Sequence, residues 1–142
     1  MKRSKRVSRA FTIVEVIVII VIIGVIAAAV APRLLSRIGQ SKQSMAKVNA
    51  SSLANALRTY MADCGTPESG ATLDILLARP SNVAEDAWKG PYVESAEALL
   101  DPWGTPYELV IPGRKNASFD IVSYGADKVP GGTDENTDVV MP

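Results

Sequence analysis

The chain has 142 residues, 47% of them hydrophobic, with 15 basic and 15 acidic side chains, no histidine and a single cysteine. The zero net charge hides an imbalance, because Lys2, Arg3, Lys5, Arg6 and Arg9 crowd the start and leave ten basic residues against 15 acids elsewhere. An acidic remainder argues against a nucleic acid partner, Cys64 alone excludes an intrachain disulfide, and the lack of histidine leaves little for acid-base or nucleophilic catalysis.

Residues 11–31 are apolar except for Thr12 and Glu15. As a helix they would reach ~31 Å, enough to cross the hydrocarbon core of a bilayer. The basic cluster before them predicts a cytoplasmic N terminus and export of everything after Pro32. A cleaved secretory signal is a poor description of the segment. The apolar stretch is longer than the usual h-region, it contains Glu15, and Pro32 would follow an Ala29-Val30-Ala31 cleavage site. An uncleaved anchor with Glu15 snorkelling to the interface is the other simple reading.

The run Arg9-Ala10-Phe11-Thr12-Ile13-Val14-Glu15 resembles the processing site of type IV pilins and pseudopilins, with Ala10 standing where that family usually has glycine. The resemblance implies that a prepilin peptidase cuts between Ala10 and Phe11, methylates the new amine and leaves Glu15 as the fifth mature residue. A charged side chain at the centre of a membrane helix costs ~2.5–3.5 kcal/mol, and less toward the interface. An ammonium on Phe11 of a neighbouring copy would offset that cost and set the register between copies. Ile13, Val14, Val16 to Ile23 and Val25 make the helix apolar on every face, so lipid before assembly and like helices after it are nearly equivalent surroundings. Gly24 and Pro32 match a glycine and a proline of the family. Pro32 reads either as a kink or as the membrane boundary.

Beyond Arg33, Leu34, Leu35, Ile38, Met45, Val48, Leu53, Ala56, Leu57, Tyr60 and Met61 recur at spacings of three and four. They predict an amphipathic continuation to about Asp63, stopped by Gly65 and Pro67, with its apolar stripe packed on the domain that follows. Arg37, Lys42, Lys47 and Arg58 are expected to face water or other subunits. Residues 72–78 predict a short helix. Residues 88–93 and 101–107 predict turns pinned by Trp88, Tyr92, Trp103 and Tyr107. Residues 107–111 and 118–123 flank Pro112-Gly113-Arg114-Lys115-Asn116 and read as a hairpin of a small antiparallel sheet. The expected organisation is a leader over residues 1–10, a polymerisation helix over 11–32, an amphipathic helix over 33–63 and a periplasmic α+β domain over 64–142. Cys64 is expected to be an idle thiol near the helix end, with pairing between chains as the alternative.

Asp127, Asp134, Glu135 and Asp138 fall within twelve residues that also hold Gly131 and Gly132. That density of hard oxygen donors suits Ca²⁺, although a solvated acidic loop is the simpler reading of the composition alone. An EF-hand is excluded, since Val129 and Gly131 occupy the third and fifth positions counted from Asp127.

The Asp101-Pro102-Trp103-Gly104 run, Tyr107, the hairpin and the acidic tail together resemble the major pseudopilin of type II secretion systems along essentially the whole chain. The resemblance implies a pilin-like α+β fold, a long N-terminal helix on a small sheet, and Ca²⁺ held by Asp127, Asp134 and the backbone oxygens of Tyr124 and Val129, with Glu135 in the place of another family acid. An aromatic residue expected toward the C terminus is missing, and whether Val139-Val140-Met141 replaces it stays open. The implied function is a structural filament subunit supporting protein export across the outer membrane. Its implied partners are further copies of itself, minor pseudopilins, an inner-membrane secretion platform and the peptidase. The alternatives are a subunit of a related type IV or competence pilus, or a membrane-tethered calcium module that never polymerises.

Overall fold

The computed structural model describes residues 11–142, apart from the side chains of residues 32–36. The expected leader, including Ala10, and the side chains of Pro32, Leu34 and Leu35 therefore lie outside the described residues. Helix α1 spans Ile13–Cys64, is assigned as helix through Pro32, and ends one residue beyond the predicted stop. Its start is a capping arrangement: the Glu15 amide donates to Thr12 Oγ1 at 3.2 Å and the Val16 amide to the Thr12 carbonyl at 3.2 Å. Its end is set by Gly65, whose φ of 84° is open to glycine and whose amide returns to the Met61 carbonyl at 3.0 Å.

The chain divides into two compact units, one ending at Arg37 and the other spanning Ile38–Pro142. In the first, every described side chain of α1 is exposed, and Ile13–Ala31 is long and apolar enough to cross a membrane. The second unit packs a core against one face of α1, formed by Ala46, Ala50, Leu53, Ala54, Leu57 and Tyr60. This face differs from the predicted stripe. Leu53, Leu57 and Tyr60 are buried as expected, but Ile38, Met45 and Val48 are 49%, 54% and 65% exposed. At 100° per residue, Ile38 and Met45 fall on one flank of the buried face and Val48 on the opposite side. The seam between them carries the small residues Gly39, Ala46 and Ala50, which let the domain approach the helix closely. The Tyr107 hydroxyl donates to the Ala46 carbonyl at 2.9 Å, tying the sheet entry to this seam.

The helix predicted over residues 72–78 is a single 3₁₀ turn, Leu73–Leu76, with Leu73 and Leu76 in the core. Its register closes through the Leu77 and Ala78 amides, which share the Asp74 carbonyl. A second 3₁₀ turn, Ala96–Leu99, lies between the two stretches expected to be turns and was not anticipated. Trp88 and Tyr92 meet edge to face with centroids 5.9 Å apart, and Tyr92 meets Tyr60 of α1 in the same way at 5.6 Å. The Tyr92 hydroxyl donates to Asp63 Oδ2 at 3.0 Å, and burial pushes that phenol up to about 12. Cys64 is half-buried there, its thiol 3.6 Å from the Ala87 carbonyl.

The sheet is antiparallel, in the order β1 (Glu108–Val110), β2 (Asp120–Ser123), β3 (Val139–Met141). The predicted hairpin is β1 and β2, with Leu109 opposite Ile121. The third strand is Val139-Val140-Met141, which pairs Ile121 with Met141 and Ser123 with Val139.

Two buried carboxylates hold the turns. Asp101 Oδ1 accepts from the Trp103 and Thr105 amides at 3.0 and 2.8 Å, while its Oδ2 accepts from the Ser123 hydroxyl at 2.6 Å. Asp120, 1% exposed, gathers the amides of Arg114, Lys115 and Asn116 and the Asn116 side-chain amide. Burial alone would raise the Asp120 carboxyl, but these four donors outweigh it and hold it below the ordinary aspartate value.

A group with a lowered native pKa contributes stability that is complete above its unfolded pKa, ~3.9, and is lost as pH falls through its native value. Asp120→Ala is therefore expected to cost about 2–4 kcal/mol at pH 7, and wild type and variant should converge as pH falls below ~4. Urea melts at pH 7 and pH 3 check this.

Candidate functional site: the charged helix start and the acidic loop

At the helix start, Phe11 is 74% exposed and precedes the first helical residue, Ile13. Glu15 lies in the first turn and is exposed. A carboxylate there gains ~0.3–1 kcal/mol from the helix dipole, less than the ~2.5–3.5 kcal/mol of a mid-membrane charge. Reading the sequence missed the Thr12 cap, although the S/T-x-x-E spacing of Thr12-Ile13-Val14-Glu15 is a signal that could have found it.

The acidic loop joins β2 to β3, so its two ends are held a sheet spacing apart. Within it the backbone folds tightly. Lys128 and Asp134 have φ values of 62° and 55°, a left-handed region that costs a side-chain-bearing residue about 1–3 kcal/mol unless the surroundings impose it. The Ala126 amide donates to the Glu135 carbonyl at 3.0 Å, closing the loop at its base. Close approach demands glycine at two positions. A Cβ on Gly125 would lie 2.7 Å from the Glu135 carbonyl oxygen, and one on Gly132 would lie 2.6 Å from the Asn136 carbonyl oxygen.

The five expected ligands are distributed unevenly. Asp127 and Asp134 are exposed on the loop, with Asp127 Oδ1 accepting from the Val129 amide at 3.2 Å. Val129 is 56% exposed. Tyr124 follows β2, and its hydroxyl donates to Glu108 Oε2 across the sheet; that bond, reinforced by burial, raises the phenol above its usual value. Glu135 turns the other way, toward α1, where its Oε2 would meet a Cβ on Gly39 at 2.9 Å. Among the described residues, no three His, Cys, Asp or Glu side chains converge on one point. All three acids of the expected set are exposed, but the Glu135 side chain lies against α1 at Gly39 and so points away from the other two.

Two observations nevertheless fit a hard cation. Asp138 accepts from the Gly131 amide through Oδ2 at 2.9 Å, while its Oδ1 is buried without a partner. Unpaired buried carboxylate oxygens are costly. The exposed donors of the loop are carboxylate and carbonyl oxygens, the chemistry that Ca²⁺ takes.

Sequence reasoning missed Gln43. Its side-chain amide donates to the Glu135 carbonyl at 3.1 Å and the Thr137 carbonyl at 2.7 Å, fastening the loop to α1. Nothing in the local pattern signals a contact across 92 residues.

Residues 33–142 match the family described as type II secretion system protein G, and residues 5–31 match the prokaryotic N-terminal methylation motif. The chain belongs to the type II secretion protein G family. It is 36% identical over 138 residues to the type II secretion system core protein G of Pseudomonas aeruginosa, covering 95% of each chain. It is 33% identical over 136 residues to the corresponding protein of Xanthomonas campestris, covering 96% of this chain and 91% of that one. Among solved structures it resembles the major pseudopilin from the type 2 secretion system of enterohaemorrhagic Escherichia coli. The TM-score is 0.59 at 26% identity, covering 77% of this chain and 93% of that one. The long helix on a small antiparallel sheet is the pseudopilin fold, and the apolar span with its methylation motif is a membrane anchor.

Proposed function

We propose that this chain is a structural subunit of a type II secretion pseudopilus, held in the inner membrane with its N terminus in the cytoplasm and its domain in the periplasm. One observation carries the reading: the methylation motif and the secretion-family domain lie on the same chain, joined by a helix whose membrane-length segment is exposed around its whole circumference. A monomer can satisfy that segment only with lipid, and a bundle of copies offers the same apolar surroundings. Prepilin peptidase removes the basic leader, frees the amine of Phe11 and methylates it. That ammonium on one copy faces Glu15 on the next. In the second unit, the exposed Ile38, Met45 and Val48 offer further contacts between copies, to minor pseudopilins or to the secretion platform. The role is structural, with no catalytic step.

In this reading the acidic loop holds Ca²⁺ through Asp127, Asp134 and the carbonyls of Tyr124 and Val129. The cation stabilises a small domain that has no disulfide, by bridging the two ends of the connection between β2 and β3.

Mass spectrometry of the purified protein is expected to find methylated phenylalanine at the N terminus, and an intact leader would remove the pseudopilin assignment of function. Glu15→Ala should insert and be cleaved normally while reducing fibre formation roughly tenfold or more, given a lost charge pair of ~1.5 kcal/mol or above. Unchanged fibres in a shearing assay would favour a tether that never polymerises. Chelation with EGTA should lower the melting temperature by roughly 5–10 °C at calcium ten times Kd, a shift absent from the Asp127→Ala, Asp134→Ala double variant.

A further inference from the structure

The bond between the Ala126 amide and the Glu135 carbonyl pins the residues on either side of it, which are Asp127 on one strand of the loop and Asp134 on the other. The same Glu135 carbonyl also accepts from Gln43 of α1, at 3.1 Å, and the second proton of that amide goes to the Thr137 carbonyl at 2.7 Å. Gly39, one helical turn before Gln43, is buried and has no side chain because Glu135 lies over it. A Cβ there would be 2.9 Å from Glu135 Oε2 and 3.1 Å from Glu135 Cβ. Helix α1 therefore provides a seat made of one flat backbone position and one two-pronged donor, and the loop rests on it through residues 135 and 137. The left-handed backbone of Asp134 is imposed immediately beside this seat.

From this geometry we infer that the backbone of Glu135 seats the acidic loop on α1 while its side chain lies along the helix rather than on the loop's cation, and that Gly39 and Gln43 are positioning residues for the Asp127 and Asp134 carboxylates. The inference rests on the calcium reading of the loop. Three observations support it: Glu135 departs toward the helix, no three acids converge among the described residues, and a single carbonyl serves both the loop closure and the helix donor. By linkage, whatever fixes the loop in its binding shape raises cation affinity, and a bound cation strengthens the hold on α1 by the same factor.

The test is a calorimetric titration of calcium chloride into the full chain in detergent micelles, with helicity checked by circular dichroism. Gln43→Met keeps the size of the side chain and removes both donors. It is expected to weaken calcium binding about tenfold, as is Gly39→Ala. Glu135→Ala should stay within about threefold of wild type and should recover most of the loss when added to Gly39→Ala. A merely structural role would lower the melting temperature equally with calcium and with EGTA, whereas seating predicts a smaller calcium-dependent increment in Gln43→Met. Glu135→Ala binding as poorly as Asp134→Ala would make Glu135 a ligand and overturn the inference, as would Gln43→Met titrating like wild type. Both outcomes leave the calcium reading standing. A wild-type chain that takes up no calcium overturns the two together.

Discussion

An apolar helix segment with no polar face, carrying one carboxylate in its first turn, finds no partner surface among the described residues of its own chain. All the described side chains of this segment are exposed, and the unit that follows Arg37 packs its core elsewhere. The segment therefore needs apolar surroundings, which lipid and a bundle of like helices supply about equally well. The division of labour along α1 follows. Its first part is nonspecific in shape and specific in charge, while the part from Gly39 to Tyr60 is specific in shape, with close approach at small residues and the Tyr107 hydroxyl on the Ala46 carbonyl.

Much of the architecture was legible because it depends on short-range chemistry. The apolar run, the glycine stop after Cys64, the hairpin strands and the acidic loop each announce themselves within a few residues. The face of α1 was harder. Large residues at helical spacing implied that Ile38, Met45 and Val48 packed inward, whereas close packing selected glycine and alanine for the seam and left those three exposed. Residues 72–78 carry leucines suited to a helix, yet the structure closes one turn on the Asp74 carbonyl and places Leu73 and Leu76 in the core. Around the loop, the sequence pointed to acids but not to their directions. Glu135 and Gln43 meet across most of the chain, and only the folded helix brings them together.

The domain also shows how a small fold manages without a disulfide. Asp101 joins its own turn to Ser123 in β2, and Asp120 collects four donors from the loop before it. Each carboxylate acts as a noncovalent cross-link between a turn and the sheet, with full pairing offsetting the cost of burial. Charge-assisted bonds of this kind depend on protonation state where a disulfide depends on redox state, so acidity rather than reductant is the condition to which this fold is exposed.

The seam of Gly39, Ala46 and Ala50 inverts the usual steric tolerance of an amphipathic helix. Adding a single methyl group at a buried alanine pushes the sheet away from its support, while trimming the bulky valine at position 48 leaves the isolated subunit untouched and alters only what it offers to others. Variation at the outward residues can therefore change the surface the subunit presents with the domain itself unchanged, whereas the seam admits almost no change in size.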